Sequence, residues 1–258
     1  MSKRKSIRTD IAWSAVDRIT VKGHDLCTEI LGKLSLGDMA FLEITDRLPT
    51  TRESVMFNAI AVTLVEHGLT PSSIAARMTY TGAPEAMQAA VAAGLCGLGS
   101  VFVGSMETAA RMLQEALPDP TVDADLDQLA AGIVAGFRTR KEIIPGIGHT
   151  LHKPVDPRAP RLFAIAAEQG YDGPYVKLMQ KVGLQAEQVY GKPLPVNATG
   201  AIGAIASELQ LPWKIVRGIG VLARAIGLVG HILEEMKNPM AYEIKQRAEE
   251  EATSHLRG

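Results

Sequence analysis

The sequence predicts an all-α protein, and three observations carry that expectation. Apolar residues fill 47% of the 258 positions while aromatics supply only 5%. The core is therefore built from Ala, Val, Leu, Ile and Met, rather than from the aromatic and β-branched residues that pack sheets. After a short N-terminal arm, apolar residues recur at helical rather than alternating intervals. Glycines and prolines fall between those periodic runs, where they end helices.

Taken in order, the arm is expected to hold a small hairpin around Ile11 to Lys22. Thr50 and Glu53 have the spacing of a capping box, and Val55, Ala59, Val62 and Val65 follow at helical intervals, which predicts a helix running to Glu66. Helices are predicted next at about 71–80, 84–96 and 105–117, before Pro118-Asp119-Pro120 breaks the pattern. Others follow at about 123–140, 159–169 (closed by Gly170), 173–190, 198–208, 212–235 and 239–254. Pro212 sits where a first helical position favours proline. The stretch from Glu85 to Glu107 has 21 uncharged residues between its ends, nominally enough to span a bilayer. Gly94, Gly97, Gly99 and Gly104 interrupt it, so a buried, tightly packed helix followed by a turn is expected instead of a membrane span. Lys237 to Gly258 is strongly charged and reads as a solvated helix or a tail lying on a partner. No repeat period is present.

At roughly 100 to 200 residues per domain, the length allows one large domain or two unequal ones. Lys plus Arg is 27 against 28 Asp plus Glu, a balance that argues against a general nucleic-acid surface while leaving local basic pockets open. Cys27 and Cys96 are far apart with no CxxC and no His/Cys cluster, so there is no disulfide scaffold and no support for a metal site. Both are expected as buried thiols of a reducing compartment. The N-terminal positive charges have no apolar stretch behind them, which predicts a cytoplasmic protein without a secretory signal.

Two of the six histidines stand in unusual surroundings. His67 lies in Glu66-His67-Gly68-Leu69-Thr70-Pro71, where one helix ends and another begins. Its ring is placed to face a cleft with backbone amides nearby, although a histidine there serves equally well as a structural or surface residue. His149 closes Ile144-Pro145-Gly146-Ile147-Gly148-His149, with Lys153 and Asp156-Pro157-Arg158-Ala159 behind it. Two glycines let this loop approach a flat or phosphorylated ligand, and Lys153 and Arg158 bring charge for phosphate and carboxylate. An exposed basic loop is the plainer alternative.

These segments together resemble the citrate synthase superfamily, in particular the short citryl-CoA lyases and the C-terminal lyase module of ATP citrate lyase. The resemblance covers most of the chain. Its specific part is Pro145-Gly146-Ile147-Gly148-His149 with Asp156-Pro157-Arg158-Ala159, similar to the PGxGHxxxKxxDPRA signature. Gly23-His24-Asp25-Leu26, Leu36-Gly37-Asp38-Met39 and Arg47-Leu48-Pro49-Thr50 look like the family's N-terminal stretch. Pro195-Val196-Asn197 resembles its PNVD stretch, and the run Leu222 to His231 resembles the ARxxGxxxH helix that brings an arginine to the substrate.

The resemblance implies an all-helical fold with a large domain (1–103 and 205–258), a small domain (104–204) and an active-site cleft between them, in a homodimer or higher oligomer. By residue match, His67 corresponds to the histidine that hydrogen-bonds a thioester carbonyl, and His149 to the one facing the oxygen of the other half of the substrate. Arg158 and Arg224 correspond to the carboxylate clamp. Ile144, Pro145, Gly146, Ile147, Gly148 and Lys153 would hold coenzyme A, which enters as a thioester substrate together with a di- or tricarboxylate. No tightly bound cofactor or metal is implied, and no nucleic-acid or membrane partner.

The residue types suit such chemistry in their own right. A retro-aldol cleavage of a 3-hydroxyacyl-CoA removes a hydroxyl proton while negative charge grows on the thioester oxygen, which needs a base and a hydrogen-bond donor. Arginine forks match carboxylates, favouring an oxaloacetate-like product. Two departures from the family bear on the direction. Asn197 stands where the family carries a catalytic aspartate, and no other acid lies between Gly191 and Ser207. An amide cannot take a proton from the acetyl-CoA methyl group, and an aspartate introduced there is expected to act as the missing base. Gly99 to Ser105 lacks the histidine of the GPLHGG stretch of citrate synthases, as do the lyase modules. The first function expected is thus a citryl-CoA lyase-like carbon–carbon lyase. A citrate synthase-type acyltransferase and a catalytically weak CoA- or organic-acid-binding protein are the alternatives.

Overall fold

The structure is a computed structural model that describes residues 7–149 and 151–256. The regular structure of the described residues is helical apart from three short strands, and the chain divides into two compact units, one ending at Ala59 and the other beginning at Ile60.

In the first unit, β1 (Ala12–Ser14), β2 (Ile19–Val21) and β3 (His24–Asp25) form an antiparallel sheet in sequence order. The expected hairpin is present, extended by a third strand. Ser35 and Asp38 then cap each other to start α1 (Leu36–Thr45), a helix absent from the sequence expectations although Ser-x-x-Asp signals it. Leu42 packs with Val21 and Ile30 in a small core. The division falls within α2 (Thr51–Val65), which opens on the expected capping box: the Thr50 amide donates to Glu53 at 2.8 Å and the Glu53 amide to Thr50 Oγ1 at 3.3 Å. Val55 and Val62, part of the repeat that predicts α2, are exposed, and its buried residues include Met56, Phe57 and Ile60.

The second unit holds α3 (Pro71–Gly82), α4 (Met87–Cys96), α5 (Gly104–Ala116), α6 (Leu126–Arg140), α7 (Arg158–Gln169), α8 (Pro174–Tyr190), α9 (Ala198–Glu208), α10 (Trp213–Lys237) and α11 (Ala241–Ala252). At its centre, α9 is buried from Gly200 to Ser207 and packs on α5, α7, α8 and α10. Its Ala- and Gly-rich sequence has few large side chains to hold neighbouring helices away, so backbones approach closely. The 25-residue α10 packs on α3, α4, α5 and α9, burying Val216, Ile219, Ala223, Leu228 and Ile232. It is long and apolar enough to cross a membrane by composition.

Three expectations are corrected. The uncharged helix α4 is only half covered: Ala90 and Gly94 are buried, while Met87, Gln88, Ala89, Ala92 and Cys96 on its outer face are exposed. Cys27 and Cys96 are exposed, not buried. Pro212 is the residue before α10 rather than its first turn. The charged C-terminal segment forms α11, anchored where Glu235 Oε1 accepts the Met240 and Ala241 amides at 2.9 Å.

Candidate active site

A cavity of about 570 Å³ in the second unit collects most of the residues singled out by sequence: His67, Ile144 to Gly148, His149, Arg158, Asn197 and Arg224 line it. Lys153 does not. It lies in an adjoining cavity of about 540 Å³ with Lys192 and the Pro193–Pro195 turn, and Gly148 and His149 form part of the walls of both.

The loop bearing His149 owes its path to glycine. Gly146 (φ +81°) and Gly148 (φ +76°) adopt left-handed backbone, and a Cβ on Gly146 would overlap Gly200 at the start of α9. The loop is laced to the segment before α9. Ile147 pairs with Val196, Gly148 N–H donates to Pro195 O at 2.7 Å, and Asn197 N–H donates to Gly146 O at 2.9 Å. Asn197 itself caps α9. Its Oδ1 accepts from the Thr199 and Gly200 amides and the Thr199 hydroxyl, while Nδ2 donates to Gly148 O.

Three imidazoles converge here. The ring centroid of His149 lies 6.0 Å from that of His67 and 4.5 Å from that of His152, with His67 and His152 5.9 Å apart. His152 was missed in the sequence reading, where the His149-x-x-His152 spacing was its only signal. One nitrogen from each ring lies within 4.8 Å of the others, an outer limit wider than the roughly 3.4 Å between two imidazole nitrogens on a tetrahedral ion bound at about 2.1 Å. The donor set also fits a cation poorly. His149 Nδ1 already accepts the Leu151 and His152 amides at 3.1 and 3.0 Å, which puts the neutral ring's proton on Nε2 and leaves no lone pair there. Arg158 Nη2 stands 3.5 Å from that Nε2.

The electrostatics instead favour an anion. Arg158 grips Asp156 through Nε (3.0 Å) and Nη2 (2.8 Å), and Asp156 also accepts the Ala198 amide at 2.9 Å. Burial works to raise the Asp156 pKa, but these donors more than offset it and hold the carboxyl at about 2. Arg224 is buried, and among the described residues its Nε and Nη1 have no hydrogen-bond partner. Burial depresses its pKa, opposed by the charge of Glu66. His67 presents an exposed edge, yet partial burial and then the charges of Arg158, His152 and Arg224 lower its pKa. Burial and then His152 lower that of His149. Both rings are neutral at pH 7, beside guanidinium groups able to receive carboxylates.

Residues 17–245 match the family model described as the citrate synthase C-terminal domain. The chain is 33% identical to a solved citryl-CoA lyase from Hydrogenobacter thermophilus, covering 91% of this chain and 88% of that one with a TM-score of 0.81. An ATP citrate lyase from Methanothrix soehngenii, solved with citrate and coenzyme A, shares the fold at 22% identity and a TM-score of 0.73, over 92% of this chain and 40% of that one. A probable ATP-citrate synthase of Dictyostelium discoideum is 23% identical over 92% of this chain. The chain spans 39% of that relative's length.

Proposed function

This chain belongs to the citrate synthase family, and from that premise we propose that it cleaves citryl-CoA, or a closely related 3-hydroxyacyl-CoA, to acetyl-CoA and a 2-oxo acid such as oxaloacetate. The observation that carries this reading is the state of Asn197. The residue lines the cavity, but its amide is spent on the α9 N-terminus and Gly148 O, so position 197 offers no carboxylate to deprotonate carbon, and Glu66, the carboxylate that also lines the cavity, is engaged by His231 and the His67 amide. Cleavage does not need one. The hydroxyl loses its proton, its electrons form the carbonyl, the carbon–carbon bond breaks, and that pair becomes the thioester enolate, which is then protonated at carbon.

In this scheme Arg224, buried and lacking partners at two nitrogens, receives a carboxylate, with Arg158 beside it. His149 presents Nε2–H to the hydroxyl oxygen, stabilising charge as the alkoxide develops. Since its lone pair is occupied, the proton acceptor is water or one of the other two imidazoles, His67 and His152. His67 faces the thioester oxygen. The 144–148 loop and Lys153 carry the coenzyme A portion, with the second cavity's paired lysines suited to its phosphates.

The test is an assay of purified protein with citryl-CoA, following release of acetyl-CoA and oxaloacetate, beside a second assay with those two products and detection of free coenzyme A. Turnover only in the second would replace the lyase reading with the synthase one. No turnover in either would leave a binding protein.

A further inference from the structure

A polar chain, buried at Arg77, His231 and Glu235, runs from α3 through α10 to Glu66, the residue preceding His67 and itself part of the cavity wall. Arg77 is fully buried, with Glu235 Oε2 3.0 Å from its Nη1 and Glu234 paired to its Nη2. Those two carboxylates more than offset its single charge. Arg77 Nη2 also meets His231 Nδ1 at 2.8 Å. A guanidinium only donates, so His231 accepts at Nδ1 and carries its proton on Nε2. That proton points at Glu66 Oε2, 3.0 Å away. The same Glu66 oxygen accepts the backbone N–H of His67 at 3.2 Å.

We infer that His231 is a positioning residue for His67, acting through Glu66. Glu66 and His67 follow the last residue of α2 and precede the left-handed Gly68 (φ +69°), so helix geometry does not fix them. Arg224, Gly227 and His231 share one face of α10. A Cβ on Gly227 would overlap the Val65 carbonyl and Glu66 Oε1, which shows how closely this face abuts the His67 turn. Because Arg77 has its carboxylates without His231, the imidazole is not needed to neutralise it. The ring's directional work is to hold Glu66, and with it His67 beside Arg224. The inference rests on His67 being a reactive imidazole, the role it has in the proposed function.

The experiment is NMR of protein labelled with 15N-histidine, without substrate, comparing wild type with His231→Leu, His231→Gln and His231→Asn, whose shorter amide does not span from Arg77 to Glu66. A glutamine can accept from Arg77 and donate to Glu66 as the ring does. Arg158, Arg224, His152 and Asp156, the charged and titratable groups that act on His67, stay in place throughout. His231→Leu and His231→Asn are expected to move the His67 titration toward its ordinary value of 6.5, and His231→Gln to restore the wild-type curve. With a turned-over substrate in hand, His231→Leu should cost about tenfold or more in kcat through misplacement of His67, and His231→Gln should recover it. Wild-type His67 resonances in a folded His231→Leu protein would overturn the inference. Should that variant not fold, unchanged resonances in His231→Asn would do the same. The readout is independent of which thioester the protein cleaves, so its failure is separate from that of the lyase reading.

Discussion

Asn197 Nδ2 donates to the carbonyl oxygen of Gly148 at 2.6 Å, joining the N-terminus of α9 to the residue immediately before His149. The side chain thus works as a clasp on the histidine loop.

That contact changes what an aspartate at 197 should do. Sequence alone favours a restored base, but a carboxylate keeps the bonds made by Oδ1 and sets its other oxygen against Gly148 O. Leaving that acceptor without its donor costs on the order of 1–3 kcal/mol. Asn197→Asp is therefore expected to lower turnover in the proposed citryl-CoA cleavage without raising deuterium exchange at the acetyl-CoA methyl group above wild type. Faster exchange in the variant would show the carboxylate reaching substrate despite the clasp.

His149→Ala should reduce turnover by roughly 10²–10³-fold, the range for removing one donor that stabilises charge in a transition state. Burial lowers the pKa of both His149 and His67, so both remain neutral at pH 7 and the acid limb of the rate profile should lie below their ordinary 6.5. An acid limb centred above 6.5 would contradict this assignment.

Arg224 is expected to exchange stability for binding. Its buried guanidinium lacks partners at Nε and Nη1 among the described residues, so Arg224→Leu removes two buried, unsatisfied donors while deleting the carboxylate receptor. Calorimetry should show oxaloacetate affinity falling, while the melting temperature holds or rises. Arg158→Leu should lose both, since it strands the buried Asp156. Unchanged affinity in both variants would place the clamp elsewhere.

Asp156 sets an acid limit on the fold. Its pKa is held at about 2 against an ordinary 3.8, so its ionised form contributes about 2 kcal/mol above pH 4. The sign follows from the depression: this stability is lost as pH falls from 3.8 through about 2. Asp156→Asn should flatten the denaturant midpoint over that window. A wild-type midpoint that does not change between pH 5 and pH 2 would count against it.

A homodimer or higher oligomer is the expected solution state. Ile226, Val229, Leu233 and Met236 are exposed at helical spacing along α10, an apolar stripe that a second copy would cover. Sedimentation showing only a 27.6 kDa species at micromolar concentration would rule this out.

The helical class and most helix positions were legible because periodicity, capping pairs and Gly/Pro breaks are local properties. The Thr50–Glu53 box and the Gly170 terminus both form as read. The chain's own order also held the 145–158 motif, and with it His149 and Arg158. Burial was another matter. Whether α4 or Cys27 is covered depends on which elements pack beside it, and no local pattern records that. The tertiary structure alone brought His152 to His67, turned the Asn197 amide onto Gly148, and linked His231 to Glu66 across 165 residues. Hydrogen bonds and imidazole tautomers act over about 3 Å, so the sequence could name these chemical groups, while only the packing of α9 and α10 against the loops decided which way each one faces.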